Sequence, residues 1–120
     1  MTLQDQRYRQ IADRFERIAR AEIGSAPSIA ELCRRVGVTS STLLRAIRLV
    51  CGTTPHRYLR ILRLREARRI LSTEEVGTVT AAAMEAGFRE LGRFAVQYRS
   101  AFGESPSRTL ARRIEKSHRS

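Results

Sequence analysis

A 120-residue chain with 23 lysine and arginine side chains against 12 acids carries a formal net charge of +11 and holds one domain, or two very small ones. Units of about 50 residues have little interior of their own, so two of them need each other or a shared element. No run of about 18 apolar residues exists, which excludes a membrane-spanning helix, and an excess of base over acid points to a polyanion partner, nucleic acid before anionic membrane.

Arginine supplies 22 of the 23 cations, and the excess is uneven: +1 over residues 1–27, +6 over 28–77 and +4 over 78–120. The opening stretch MTLQDQRYRQ has no signal-peptide core. Cys33 and Cys51 suit a reduced cytoplasm without a disulfide framework.

Residues 5–23 place Ile11, Phe15 and Ile18 on one helical face, with Ile23 near the end and charge on the other side. This reads as an amphipathic helix packing on the first unit of the chain, or as a dimerisation helix or the end of a linker. Gly24–Pro27 ends it. Ser28 and Glu31 have capping-box spacing and open a helix to about Val36, with Ile29, Leu32, Cys33 and Val36 inward. Gly37 supplies a left-handed turn. Thr39 caps the next helix, residues 40–50, which is predicted to bury Leu43, Ile47 and Val50 and to expose Ser41, Thr42, Leu44, Arg45 and Arg48.

Thr54-Pro55 opens a long helix to about Ser72. Leu59, Leu62, Ala67, Ile70 and Leu71 point inward, and Arg57, Arg60, Arg63, Arg65, Arg68 and Arg69 outward. Its length is about 24 Å at the usual helical rise. Glu74–Gly77 reads as a loop. Thr78 caps a helix with Val79, Ala82, Ala83 and Ala86 inward, and Gly87 turns the chain. The helix over 90–102 is predicted to bury Leu91, Phe94, Tyr98 and Phe102 and to expose Arg93, Val96, Gln97 and Arg99. Ser105-Pro106 opens a last helix to about Ile114, with residues 115–120 frayed. No segment alternates at period two, so the fold class is all-α with about seven helices.

The chain repeats itself. Gly37-Val, Leu43, Ile47, Gly52 and Pro55 are echoed by Gly87-Phe, Phe94, Tyr98, Gly103 and Pro106, and one spacing differs by one residue. Each copy is a helix, a glycine turn and a second helix with an apolar rear. That is the construction of a helix-turn-helix, whose first helix braces the second in the major groove. Two copies joined by a stiff helix suit two reading helices in successive major-groove faces, about 34 Å apart. The predicted organisation is an N-terminal helix (1–27), a first unit (28–54), a linker helix (55–72) and a second unit with its C-terminal helix (78–120), all one DNA-binding domain.

Specific stretches extend this. Ile29-Ala-Glu-Leu-Cys-Arg-Arg-Val-Gly-Val38, Leu43-Leu-Arg45, Gly52-Thr-Thr-Pro-His-Arg-Tyr-Leu59, Arg63-Leu-Arg-Glu-Ala-Arg68, Ala86-Gly-Phe88, Phe94, Tyr98-Arg-Ser-Ala-Phe-Gly103 and Ser105-Pro-Ser107 resemble the DNA-binding domain of the AraC/XylS class of bacterial transcription regulators. The resemblance covers about residues 28–110. It implies seven helices, binding to double-stranded promoter DNA and activation through RNA polymerase. It also implies a separate sensing or dimerisation domain. This length has no room for one, which leaves an excised domain or a stand-alone short member. The family often has Ser where Gly92 stands and Arg where Val96 stands.

Arg45 is the leading base reader, since arginine hydrogen-bonds the guanine edge through two donors, with phosphate contact as its alternative. Ser41, Thr42 and Leu44 share its face. Arg48, Arg89, Arg93, Gln97 and Arg99 are candidates for phosphate or base, and phosphate contacts position a protein without conveying sequence. Leu91, Gly92, Ala95 and Val96 offer few hydrogen bonds, so the first unit is expected to supply most readout. Arg60 and Arg63 read as solvated or salt-bridged, and Cys33 as a small core residue matching Ala83. His56 and His118 have no metal-ligand spacing, and no catalytic constellation, metal or cofactor is expected. The leading function is a cytoplasmic, nucleoid-associated, sequence-specific transcription regulator of the activator type. The rivals are a module that contacts RNA polymerase or another regulator with minor DNA contact, and a nonspecific nucleic-acid-coating protein.

Overall fold

A computed structural model describes residues 1–73 and 76–119. Among the described residues there are seven α-helices and no strand, and the chain divides into two compact units, Met1–Leu62 and Arg63–Ser120.

The first unit is built from α1 (Leu3–Ala21), a 3-10 turn (Ile23–Ser25), α2 (Ile29–Val36), α3 (Ser40–Cys51) and the opening turns of α4 (Pro55–Thr73). α1 starts before the expected residue 5 because Thr2 forms a reciprocal cap. The Asp5 amide donates to Thr2 Oγ1 (3.0 Å) and the Thr2 amide to Asp5 Oδ2 (3.2 Å). At α2 only half of the predicted box forms: the Glu31 amide donates to Ser28 Oγ at 3.1 Å.

Ile11, Ala12, Phe15 and Ala19 of α1 pack with Leu32, Cys33 and Val36 of α2 and Leu43, Ala46 and Ile47 of α3 in one core, which Leu59 and Leu62 complete. Tyr58 adds a polar tie. Its ring lies 6.1 Å from that of Phe15, and its hydroxyl donates to Glu16 Oε1 at 2.6 Å. Burial and the Glu16 carboxylate push the phenol well above its ordinary pKa.

Val50 departs from expectation: it is 38% exposed, and Ala46 is buried beside Leu43 and Ile47. The surface recess at Val50 is lined by Met1, Asp5, Arg9 and Leu49, so the start of α1 offers it charge rather than an apolar lid.

The second unit comprises the later turns of α4, α5 (Val79–Glu85), α6 (Leu91–Phe102) and α7 (Pro106–Arg119). Leu64, Ala67, Ile70 and Leu71 of α4 share a core with Val76, Ala82, Ala83, Ala86, Phe88, Phe94, Tyr98 and Leu110. Of the expected loop at 74–77, Glu74 and Glu75 lie outside the described residues. Val76 is buried, and its carbonyl accepts from Arg113 at 2.6 Å.

Leu91, expected inward, is 39% exposed. It is the first residue of α6, and the Phe88 ring stands 4.6 Å from that of Phe94. α7 continues past the expected end near Ile114 to Arg119. No glycine or proline interrupts residues 115–119, and Lys116, His118 and Arg119 complement the negative helix end. Ser120 lies outside the described residues.

Candidate nucleic-acid interface

Two helix-glycine-helix corners carry the candidate residues. In the first, Gly37 ends α2 at φ +84°, and the amides of Gly37 (2.8 Å) and Val38 (3.1 Å) both donate to the Cys33 carbonyl. The second repeats half of the closure: Gly87 has φ +93° and the Phe88 amide donates to the Ala83 carbonyl at 3.0 Å, but the Gly87 amide donates to the Met84 carbonyl at 3.1 Å.

From the reading helices onward the copies are in register at a constant offset. α3 and α6 are both 12 residues long and both end on a left-handed glycine, Gly52 (φ +70°) and Gly103 (φ +76°). Leu43 and Ile47 are matched by Phe94 and Tyr98, all four buried. Hydroxyl caps precede the next helices: the Arg57 amide donates to Thr54 Oγ1 (3.3 Å) and the Arg108 amide to Ser105 Oγ (3.2 Å).

The starts of α3 and α6 differ. Thr39 Oγ1 accepts from the Thr42 amide at 3.2 Å, whereas Glu90 makes no side-chain cap and instead pairs with Arg93 at 3.0 Å. That exposed pair contributes little to stability.

With Leu43 and Ile47 as the rear of α3, helical geometry turns Ser41, Arg45 and Arg48 outward, and all three are exposed. Among the described residues neither Arg45 nor Arg48 is held by a carboxylate. Thr42 and Leu44 are half-buried, and the Thr42 hydroxyl is engaged by Thr39 at 3.0 Å, which withdraws it from the open face.

On α6 the corresponding outward positions are Gly92, Val96 and Arg99, flanked by Arg93; all are exposed, and Gln97 is half-buried. Ser100, one turn beyond Val96, shares this face, and its spacing from Val96 is the sequence signal for it. Arg89 does not simply project: it donates to the carbonyls of Met84 and Phe88 at 3.2 Å each, closing the end of α5. Arg63, expected outward, is half-buried, and burial and the nearby Arg89 charge hold its guanidinium below the usual pKa.

The rear of α6 is fixed by a hydrogen-bonded chain. Tyr98 donates to Thr109 Oγ1 at 2.8 Å, and Thr109 in turn donates to Glu104 Oε2. Arg112 holds both Glu104 oxygens, with Nη1 3.1 Å from Oε2. Hydrogen bonds from Arg112 and Thr109 hold the Glu104 carboxyl down at about 2. Arg68 lies 4.7 Å from the Phe102 ring centroid, a cation–π contact on the same core.

Among the described residues no cluster of three metal-ligating side chains occurs, and no helix is long and apolar enough to cross a membrane.

A helix-turn-helix domain family matches residues 32–112. The chain is 35% identical over 102 residues to XylDLEGF operon transcriptional activator 2 of Pseudomonas putida, covering 81% of this chain and 65% of that protein. It spans only 26% of the length of other, longer relatives. A solved structure of a probable AraC family transcriptional regulator from Rhodopseudomonas palustris CGA009 is 34% identical, with a TM-score of 0.76, and the match covers 87% of this chain and 97% of that one. The DNA-binding domain of AdpA, a global transcriptional factor solved with a target DNA, shares the fold at 24% identity and a TM-score of 0.77, covering 88% of this chain and 94% of that one.

Proposed function

This chain belongs to the AraC-type helix-turn-helix family of DNA-binding transcription regulators, and we propose that it reads promoter DNA through α3 and α6 as a transcriptional activator. The carrying observation is the register of the two corners. Two helices of equal length, with matched buried rears and matched glycine ends, each leave one face exposed among arginines.

On this reading residues 1–27 brace the first unit (28–54), 55–72 form the linker helix, and 78–120 carry the second reading helix. Arg45 is the main base reader and Ser41 assists it at the helix start, with Thr42 and Leu44 at the margin of that face. Arg48 and Arg99, at equivalent places, grip phosphate, as do Arg93 and Arg89, while Gln97 contacts either phosphate or base. The fixed orientation of Arg89 over the end of α5 suits backbone positioning rather than base recognition.

The Pseudomonas relative's name as an operon transcriptional activator supports activation here, and contact with RNA polymerase in a bacterial cytoplasm and nucleoid is part of the same proposal. The work is binding, not catalysis.

The test is competition between a duplex selected from a random pool and a scrambled duplex of equal length, across a salt series. A selective regulator prefers the selected duplex by at least about a thousandfold at physiological salt. Equal affinity for both duplexes sinks the proposal in favour of nonspecific coating.

A further inference from the structure

Val96 is the most exposed large apolar residue of either reading helix, at 71%, and it occupies the place on α6 that Arg45 holds on α3. The equivalence follows from the constant register that aligns Leu43 with Phe94, Ile47 with Tyr98 and Gly52 with Gly103. An isopropyl group at the centre of an exposed helix face contributes nothing to the core behind it.

Its neighbours share its character. Ala95 is exposed, and one turn earlier Gly92 presents only backbone, with no atom within 4 Å of where a Cβ would stand. Cationic side chains border the strip: Arg93 on one side and Arg99 on the other, both exposed. A small apolar strip between guanidinium groups matches one feature of a polyanionic duplex. The thymine C5-methyl is the apolar group on the major-groove edge, and small apolar side chains contact it. The bare backbone at Gly92 lets the helix approach the base edges more closely than a longer side chain would permit.

We propose that α6 reads sequence by van der Waals contact between Val96 and thymine methyl groups. Val96 then selects T·A pairs without a hydrogen bond, while the first unit reads guanine through Arg45. This rests on the reading of α6 as a DNA-recognition helix, and it adds base readout to a unit expected to leave most of the readout to the first.

The experiment replaces each thymine of a selected duplex, one at a time, with deoxyuridine, which keeps every hydrogen bond and removes only the methyl. Binding is measured for the unaltered chain, Val96→Ala and Val96→Arg. The expected result is a loss of about fourfold at one or two thymines, the equivalent of one buried methyl group. That loss disappears in Val96→Ala. In Val96→Arg the preference at the same positions moves from T·A to G·C. Val96 is exposed, so both variants keep the parent's thermal midpoint.

Deoxyuridine tolerated at every position, or a penalty undiminished in Val96→Ala, overturns the proposal while leaving duplex recognition standing. Unchanged DNA binding in both variants together with lost activation also overturns it, and assigns the strip to a protein partner. A chain with no preference for any duplex removes the underlying reading as well.

Discussion

Gly37 and Gly92 both have open space where a Cβ would go, yet replacing them with alanine has opposite consequences. At Gly37 the backbone stands at φ +84°, so alanine meets no neighbour but must occupy the left-handed region, at about 1–2 kcal/mol. Alanine also restricts the unfolded chain relative to glycine, which offsets some tenths of this. The net expectation is a destabilisation of about 1 kcal/mol, roughly a fivefold shift in the folded-to-unfolded ratio.

Gly92 lies in the first turn of α6 with ordinary helical φ, and alanine there removes the helix penalty of glycine. In a helix interior that penalty is about 1 kcal/mol, and near the N-terminus we expect about half of it as a gain. The assay is urea unfolding followed by native-state amide exchange. Exchange of Leu43 and Ile47 reports the first unit, and that of Phe94 and Tyr98 the second. Gly37→Ala should accelerate exchange in the first unit, and Gly92→Ala should slow it in the second. A Gly37→Ala protein as stable as its parent, or a Gly92→Ala protein destabilised to the same degree, refutes the conformational argument.

Three further outcomes are expected from the geometry. Arg45→Ala should cost about 1–3 kcal/mol against the selected duplex and relax discrimination at one base pair, seen by repeating the selection with the variant. Arg99→Ala should weaken selected and scrambled duplexes alike and lower the slope of log affinity against log salt by about 1, measured by titration at several salt concentrations. Glu104→Gln should lower the thermal midpoint at neutral pH. The folded carboxyl is depressed to about 2, so its contribution is fully present above its ordinary value of 4.5 and is lost as pH falls towards 2. Melting curves of variant and parent should therefore converge in strong acid, and a constant gap across pH would contradict the role given to the Arg112 and Thr109 hydrogen bonds.

Much of the architecture was legible because the residues that punctuate it have few alternatives. Gly37 and Gly87 mark the corners, Gly52 and Gly103 the helix ends, and Thr54-Pro55 and Ser105-Pro106 the next starts; backbone conformation forces these choices. Periodicity named the buried faces of α3 and α6 through Leu43, Ile47, Phe94 and Tyr98. It failed at element ends, because period tells which way a side chain points and not whether anything covers it. Val50 points at a recess edged by Asp5 and Arg9, and Leu91 is the first residue of its helix, where Phe88 rather than Leu91 stands against Phe94.

The candidate face was legible in outline, since Ser41, Arg45, Arg93 and Arg99 lie where helical spacing sets them. What each guanidinium or hydroxyl engages depends on partners that spacing does not name. Arg89 turns to the carbonyls of Met84 and Phe88, Arg63 is half-buried near the Arg89 charge, and Thr42 is held by its own cap.

The central claim is that α3 and α6 both read one duplex. Hydroxyl-radical footprinting on the selected site tests it most directly, with Arg45→Ala and the paired Arg93→Ala, Arg99→Ala variant run alongside. The account predicts two protected segments about one helical turn apart, one fading with each variant. A single protected segment, indifferent to the α6 substitutions, would contradict it.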